Sequence, residues 1–164
     1  MRPATQAGRS ANDPLEKGCF LLIHFSNRIH NGRFSFQGKQ IKMPPNFPWE
    51  VHTIHGQDLK APWTVYEVEE NRAVIAYQYF PDEWSFPYLA RQIFELNGPS
   101  LTVTLQITNS GKTEMPSGMG LHPYFVRTPL AIITVKRKRC GSMIPKIYRC
   151  VCNQFRNHNA CLKG

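Results

Sequence analysis

From Thr64 to Thr108 apolar and polar residues alternate, with turn residues set between the runs, and this pattern restricts the fold more than any other feature. Thr64-Val65-Tyr66-Glu67-Val68-Glu69 alternates, Glu70-Asn71 turns, and Ala73 to Tyr79 answers as the second arm of a hairpin. Leu89 to Leu96 alternates again. Asn97-Gly98 is a hairpin turn, and Leu101, Val103, Leu105 and Ile107 fall on one face of the next run. Asn109-Ser110-Gly111-Lys112 turns once more. No segment here carries a 3.6-residue apolar stripe of helix length. Short strands at about 8–12-residue spacing, divided by turns, indicate an antiparallel β-sandwich or barrel.

The preceding segment fits the same class. Cys19 to Ile23 is an apolar run of strand length, Asn31-Gly32 is a hairpin signal, and Arg33 to Gln37 alternates before Gly38-Lys39 turns the chain. Gln40 to Met43 is another short extended piece. Pro44-Pro45-Asn46-Phe47-Pro48-Trp49 reads as an irregular loop, because three prolines cannot join a central ladder. Val51 to His55 leads into Gly56, and Pro81 to Tyr88 is an aromatic loop. Trp49, Trp63 and Trp84 are expected in the core, and His24, His30 and His52 read as structural or surface residues.

Charge divides the chain unevenly. Met1 to Val135 holds 12 Lys+Arg against 11 Asp+Glu, whereas Lys136 to Gly164 holds 8 Lys+Arg and no acid. Four of the five cysteines lie in that last segment. Three parts are therefore expected: a flexible lead-in over 1–17, a β domain over 18–135, and a basic, cysteine-rich tail over 136–164. The near-neutral domain offers no field for a nucleic-acid partner, and the basic tail is expected to be solvated. Cys140, Cys150, Cys152, His158 and Cys161 are zinc-ligand types, but they lack the paired spacing of common fingers, so no metal site is expected. No apolar run approaches the ~20 residues of a membrane span, and residues 1–17 show no apolar signal core. The expected location is cytoplasmic, with reduced thiols and no membrane partner.

Chemistry concentrates at Gly120-Leu121-His122-Pro123-Tyr124-Phe125. Pro123 favours extended backbone at His122. An imidazole fixed on stiff backbone among aromatic rings suits proton transfer on a sugar ring; the other reading is a core histidine capped by a carbonyl. Asp82 and Glu83 are adjacent, so in an extended segment they face opposite ways and form no glycosidase-like carboxylate pair.

From about Phe20 to Leu130 the chain resembles the aldose 1-epimerase (galactose mutarotase-like) family. The matching segments are Phe25-Ser26-Asn27-Arg28-Ile29 with Gly32-Arg33-Phe34; Ile54-His55-Gly56 with Pro62-Trp63; Asp82 with Trp84-Ser85-Phe86-Pro87-Tyr88; Leu105 to Asn109; and Met115-Pro116 through Gly120 to Phe125. The resemblance implies an all-β fold, an antiparallel β-sandwich of the galactose mutarotase-like type, incomplete at the C-terminus here.

It also implies a reaction: interconversion of the α and β anomers of a hexose by acid/base ring opening, with no cofactor. His122 matches the family's acid that protonates the ring oxygen, and His55 matches the histidine that binds near that oxygen. Asn27 and Arg28 match a pair that contacts sugar hydroxyls, and Tyr124 lines the same cleft. The implied partner is a hexose or hexose phosphate. The family's general base is a glutamate well beyond the His-Pro-Tyr-Phe segment, and nothing after Glu114 is acidic here. The chain is therefore expected to be truncated relative to its family, its end a shifted reading frame or an unrelated fusion. The alternative function is a non-catalytic carbohydrate-binding module of the same fold. A nucleic-acid-binding role for Lys136 to Arg139 is the weaker competitor.

Overall fold

A computed structural model of the chain describes residues 13–125, 132, 134 and 147–152. Eleven strands lie among the described residues, and every pairing between them is antiparallel. Among the described residues helix is limited to single 3-10 turns at Pro14–Glu16, His30–Gly32 and Asp58–Lys60. The chain divides into two compact units, one of Met1–Ala61 with Pro116–Met143 and one of Pro62–Met115 with Ile144–Gly164.

In the first unit β1 (Cys19–His24) pairs with a strand far along the sequence, Gly118–Pro123, here β10. Phe20 to His24 are all buried, so β1 is covered on both faces, which explains its continuous apolar run. β2 (Arg28–Ile29) pairs with β5 (Thr53–Ile54), and β3 (Arg33–Phe36) pairs with β4 (Lys39–Lys42). The β3–β4 turn has Gln37 and Gly38 both at positive φ, as a two-residue hairpin of this twist requires. Asn31-Gly32 also takes positive φ, but it does not close a hairpin between β2 and β3. Instead Gly32 brings its backbone against Met43, whose N–H bonds the Gly32 carbonyl at 2.8 Å. A Cβ at Gly32 would overlap the Met43 carbonyl. Phe20, Leu22, Phe47, Ile54 and Leu59 form the apolar core here, with Leu15 and Tyr124 packed against it.

In the second unit five strands run in the order β11-β9-β8-β7-β6. They are β6 (Thr64–Val68), β7 (Arg72–Tyr79), β8 (Tyr88–Asn97), β9 (Ser100–Asn109) and β11 (Ile147–Cys152). The hairpins expected at Glu70-Asn71 and Asn97-Gly98 are present, the first with a bulge between Val65 and Glu67. The Asn109 turn is a side-chain device: Oδ1 accepts the Gly111 N–H at 2.8 Å and Nδ2 donates to the Thr113 carbonyl at 2.7 Å. Trp84 is buried as expected. Trp49 is 62% exposed, because the proline-rich loop presents it outward while its neighbour Phe47 enters the core. Strand β11 falls within the basic segment; the cysteine and histidine set considered for zinc lies outside the described side chains.

Candidate functional site

The site grows from the meeting of β1 with β10. Register places His122 directly opposite Phe20. The His122 ring stacks on the Phe20 ring at 4.8 Å with planes 22° apart. Tyr124, one residue past the strand, lies 4.7 Å from the His122 ring and 5.6 Å from Phe20, centroid to centroid. Its N–H bonds the Gly18 carbonyl at 2.8 Å, which carries the antiparallel pairing with the chain before β1 one residue past the strand. Burial raises the Tyr124 phenol above its usual range, so it stays neutral at physiological pH.

His55 reaches the same cluster from the end of β5. Its ring is 6.1 Å from His122, nearly perpendicular at 80°, and 6.5 Å from Phe20. Two left-handed residues face each other here: Asn27 at φ 72° and His55 at φ 63°. They exchange two hydrogen bonds. The His55 N–H donates to the Asn27 carbonyl at 3.0 Å, and the Asn27 N–H donates to His55 Nδ1 at 3.1 Å. With Nδ1 accepting, the neutral ring carries its proton on Nε2 and presents a donor there. Burial, then the charge of His122, then that of Arg28 hold the His55 imidazole below its ordinary pKa, so it remains uncharged at neutral pH.

Backbone packing fixes His55 further. Gly56 has φ +73°, and a Cβ there would overlap the Ile23 carbonyl of β1. Asn46 clamps the same turn: Nδ2 donates to the Ile54 and Gly56 carbonyls at 2.6 and 2.8 Å, and Oδ1 accepts the Ile54 N–H at 3.0 Å. The Asn46 carbonyl in turn accepts from Lys60 Nζ at 2.6 Å, and that ammonium sits 3.9 Å over the Phe47 ring.

Arg28 follows Asn27 into β2, opposite Ile54. Its Nε donates to Glu50 Oε2 at 2.6 Å. The structure thus brings His55, His122 and Tyr124 together around Phe20, and attaches Asn27 to His55 through backbone groups. Arg28 stands close enough for its charge to be felt at His55. Sequence reasoning missed Phe20, Asn46 and Glu50. A partner search for the lone arginine of the Asn27-Arg28 pair could have raised Glu50, but nothing local marks it. Among the described residues no group of three or more His, Cys, Asp or Glu is placed to hold a metal ion.

The candidate site is thus a histidine pair walled by aromatic rings, with an arginine nearby, in an antiparallel β framework. Residues 5–139 match the family model for aldose 1-epimerase, and the chain belongs to that family. Uncharacterised protein YphB of Escherichia coli K12 is 32% identical over 127 residues, 77% of this chain and 43% of YphB. YihR of the same organism is 28% identical over 107 residues, 63% of this chain and 34% of that protein. The chain thus spans less than half the length of these relatives. A crystal structure from Escherichia coli K12, described as a candidate aldose 1-epimerase, matches with TM-score 0.66 at 33% identity, covering 71% of this chain and 40% of that one. A galactose mutarotase-like protein from Clostridium acetobutylicum shares the fold with TM-score 0.58 at 23% identity, over 71% of this chain and 36% of the other.

Proposed function

We propose that the chain carries the acid half of a mutarotase site and serves the interconversion of α and β anomers of a hexose. Ring opening removes the proton from the anomeric hydroxyl, forms the C1 carbonyl, breaks the bond from C1 to the ring oxygen and places a proton on that oxygen. Rotation about the C1–C2 bond and closure on the other face complete the exchange. His122 is the proton donor to the ring oxygen, its plane fixed by the Phe20 ring beneath it. His55, kept neutral with its proton on Nε2, offers a hydrogen bond to the same oxygen and does not compete as an acid. Arg28 and Asn27 hold sugar hydroxyls, and Tyr124 forms a wall. A general base is assigned to no residue of this chain.

The observation that carries the reading is the approach of His55 and His122 to 6.1 Å from segments far apart in sequence. Polarimetry of freshly dissolved α-D-glucose and α-D-galactose tests it. Acceleration by the full chain, reduced about 10²–10⁴-fold in His122→Ala, is the expected result. No acceleration by the intact chain overturns it. The Arg28 guanidinium beside the aromatic His55–His122 cluster equally suits a second reading, a carbohydrate-binding module without turnover. Saturable sugar binding with no change in the rate of mutarotation would select that reading. Parallel assays with hexose 6-phosphates distinguish free from phosphorylated substrate.

A further inference from the structure

We propose that Glu50 is a positioning residue for the sugar site: it grips one edge of the Arg28 guanidinium and leaves the two terminal nitrogens, in one fixed orientation, for a vicinal pair of sugar hydroxyls. The proposal rests on the sugar-binding reading of Arg28. An arginine side chain on an exposed two-residue strand samples many rotamers, and each must be excluded before a forked contact forms. Glu50 removes that freedom. Its Oε2 takes the Nε proton at 2.6 Å, while its Oε1 accepts the His52 N–H at 3.3 Å. The carboxylate is therefore tied to backbone entering β5 and is only 11% exposed, whereas Arg28 is 48% exposed. The hydrogen bond from Arg28, aided by that of His52 and by both their charges, keeps the carboxyl ionised below the usual carboxylate range.

The loop that delivers Glu50 is itself anchored, through Asn46 on the Ile54 and Gly56 carbonyls. Within the same loop the Glu50 N–H donates to the Phe47 carbonyl at 3.2 Å. Exposed ion pairs contribute little to stability, so the value of this one lies in where it leaves the Nη groups. Glu50→Gln keeps an oxygen for the His52 N–H and removes the charge that holds Arg28.

The test uses the full chain. Nitrogen-15 relaxation of the Arg28 Nε–H group reads the orientation directly, without sugar. The expected result is an ordered Nε–H in the parent and a mobile, shifted one in Glu50→Gln, with an unchanged unfolding midpoint. Identical Arg28 spectra in the two proteins overturn the proposal. Titration with D-galactose and D-glucose then reads the consequence. Glu50→Gln should weaken binding about tenfold, as loss of a charge-assisted hydrogen bond implies, Glu50→Asp should recover part of it, and Glu50→Gln should add nothing to Arg28→Ala. A Glu50→Gln penalty that persists in the Arg28→Ala background overturns the positioning role. An ordered Arg28 in a parent that binds neither sugar sinks the sugar-site reading, and this proposal with it, while the ion pair stands.

Discussion

Gly56 shows how one backbone position builds a site. Its left-handed conformation and contact with Ile23 allow no side chain. Gly56→Ala is expected to lower stability by about 3 kcal/mol or more, read by urea denaturation, because both the backbone strain and the overlap with β1 must be relieved. The same substitution should pull His55 away from His122, and under the proposed function mutarotation or sugar binding should fall even where the fold survives at low temperature. His122, His55, Asn27, Arg28 and Tyr124 were nameable from short motifs, since each motif keeps its residues adjacent in sequence. Glu50 and Phe20 were not, because their meaning comes from partners 22 and about 100 residues away, brought together by strand pairing. Asn27 illustrates a further limit: the motif marks the residue, but its visible work on His55 is done by main-chain N–H and C=O groups, which every residue possesses.

At the scale of elements, hairpins were legible and short ladders were not. Asn97-Gly98 and Glu70-Asn71 announce β8–β9 and β6–β7 because turn chemistry and period-2 alternation agree. The β2–β5 pairing spans two residues on each side, too few for alternation to register, so the Asn31-Gly32 signal suggested a hairpin that the chain does not form. Loops are then held by side chains that local patterning does not reveal. Asn46→Ala removes three hydrogen bonds to the β5 turn, and a loss of about 2–3 kcal/mol in chemical denaturation is expected. In the second unit the Tyr79 hydroxyl accepts the Asp82 and Trp84 N–H groups at 3.3 and 3.1 Å. Tyr79→Phe should cost about 1–2 kcal/mol in the same assay and increase Trp84 fluorescence quenching by iodide.

For the molecule as a whole, acid is the condition that discriminates. Burial pushes the His24 imidazole down to about 3, whereas in the unfolded chain it titrates near ~6.5. Between those values the unfolded chain binds a proton that the folded one refuses, so stability is full above ~6.5 and declines as pH falls toward 3. The slope from this group alone reaches about 1.4 kcal/mol per pH unit. His55, also held below its ordinary value, acts in the same direction from the same upper limit. Unfolding midpoints measured from pH 7.5 to 4 should fall steadily, and His24→Asn should flatten the upper part of that curve. A curve unchanged by the substitution would contradict the neutral, buried state of His24.

The two-residue ladder between β2 and β5 also sets an order in time. Asn27 and His55 are 28 residues apart and meet only after the intervening chain has closed, whereas the β8 and β9 strands need close only a tight turn. During refolding, amide protons of the long hairpin should therefore become slow to exchange before those of Asn27 and His55. The His55 imidazole would take its single tautomer among the last events of assembly, and its placement beside His122 would mature later than the scaffold around it.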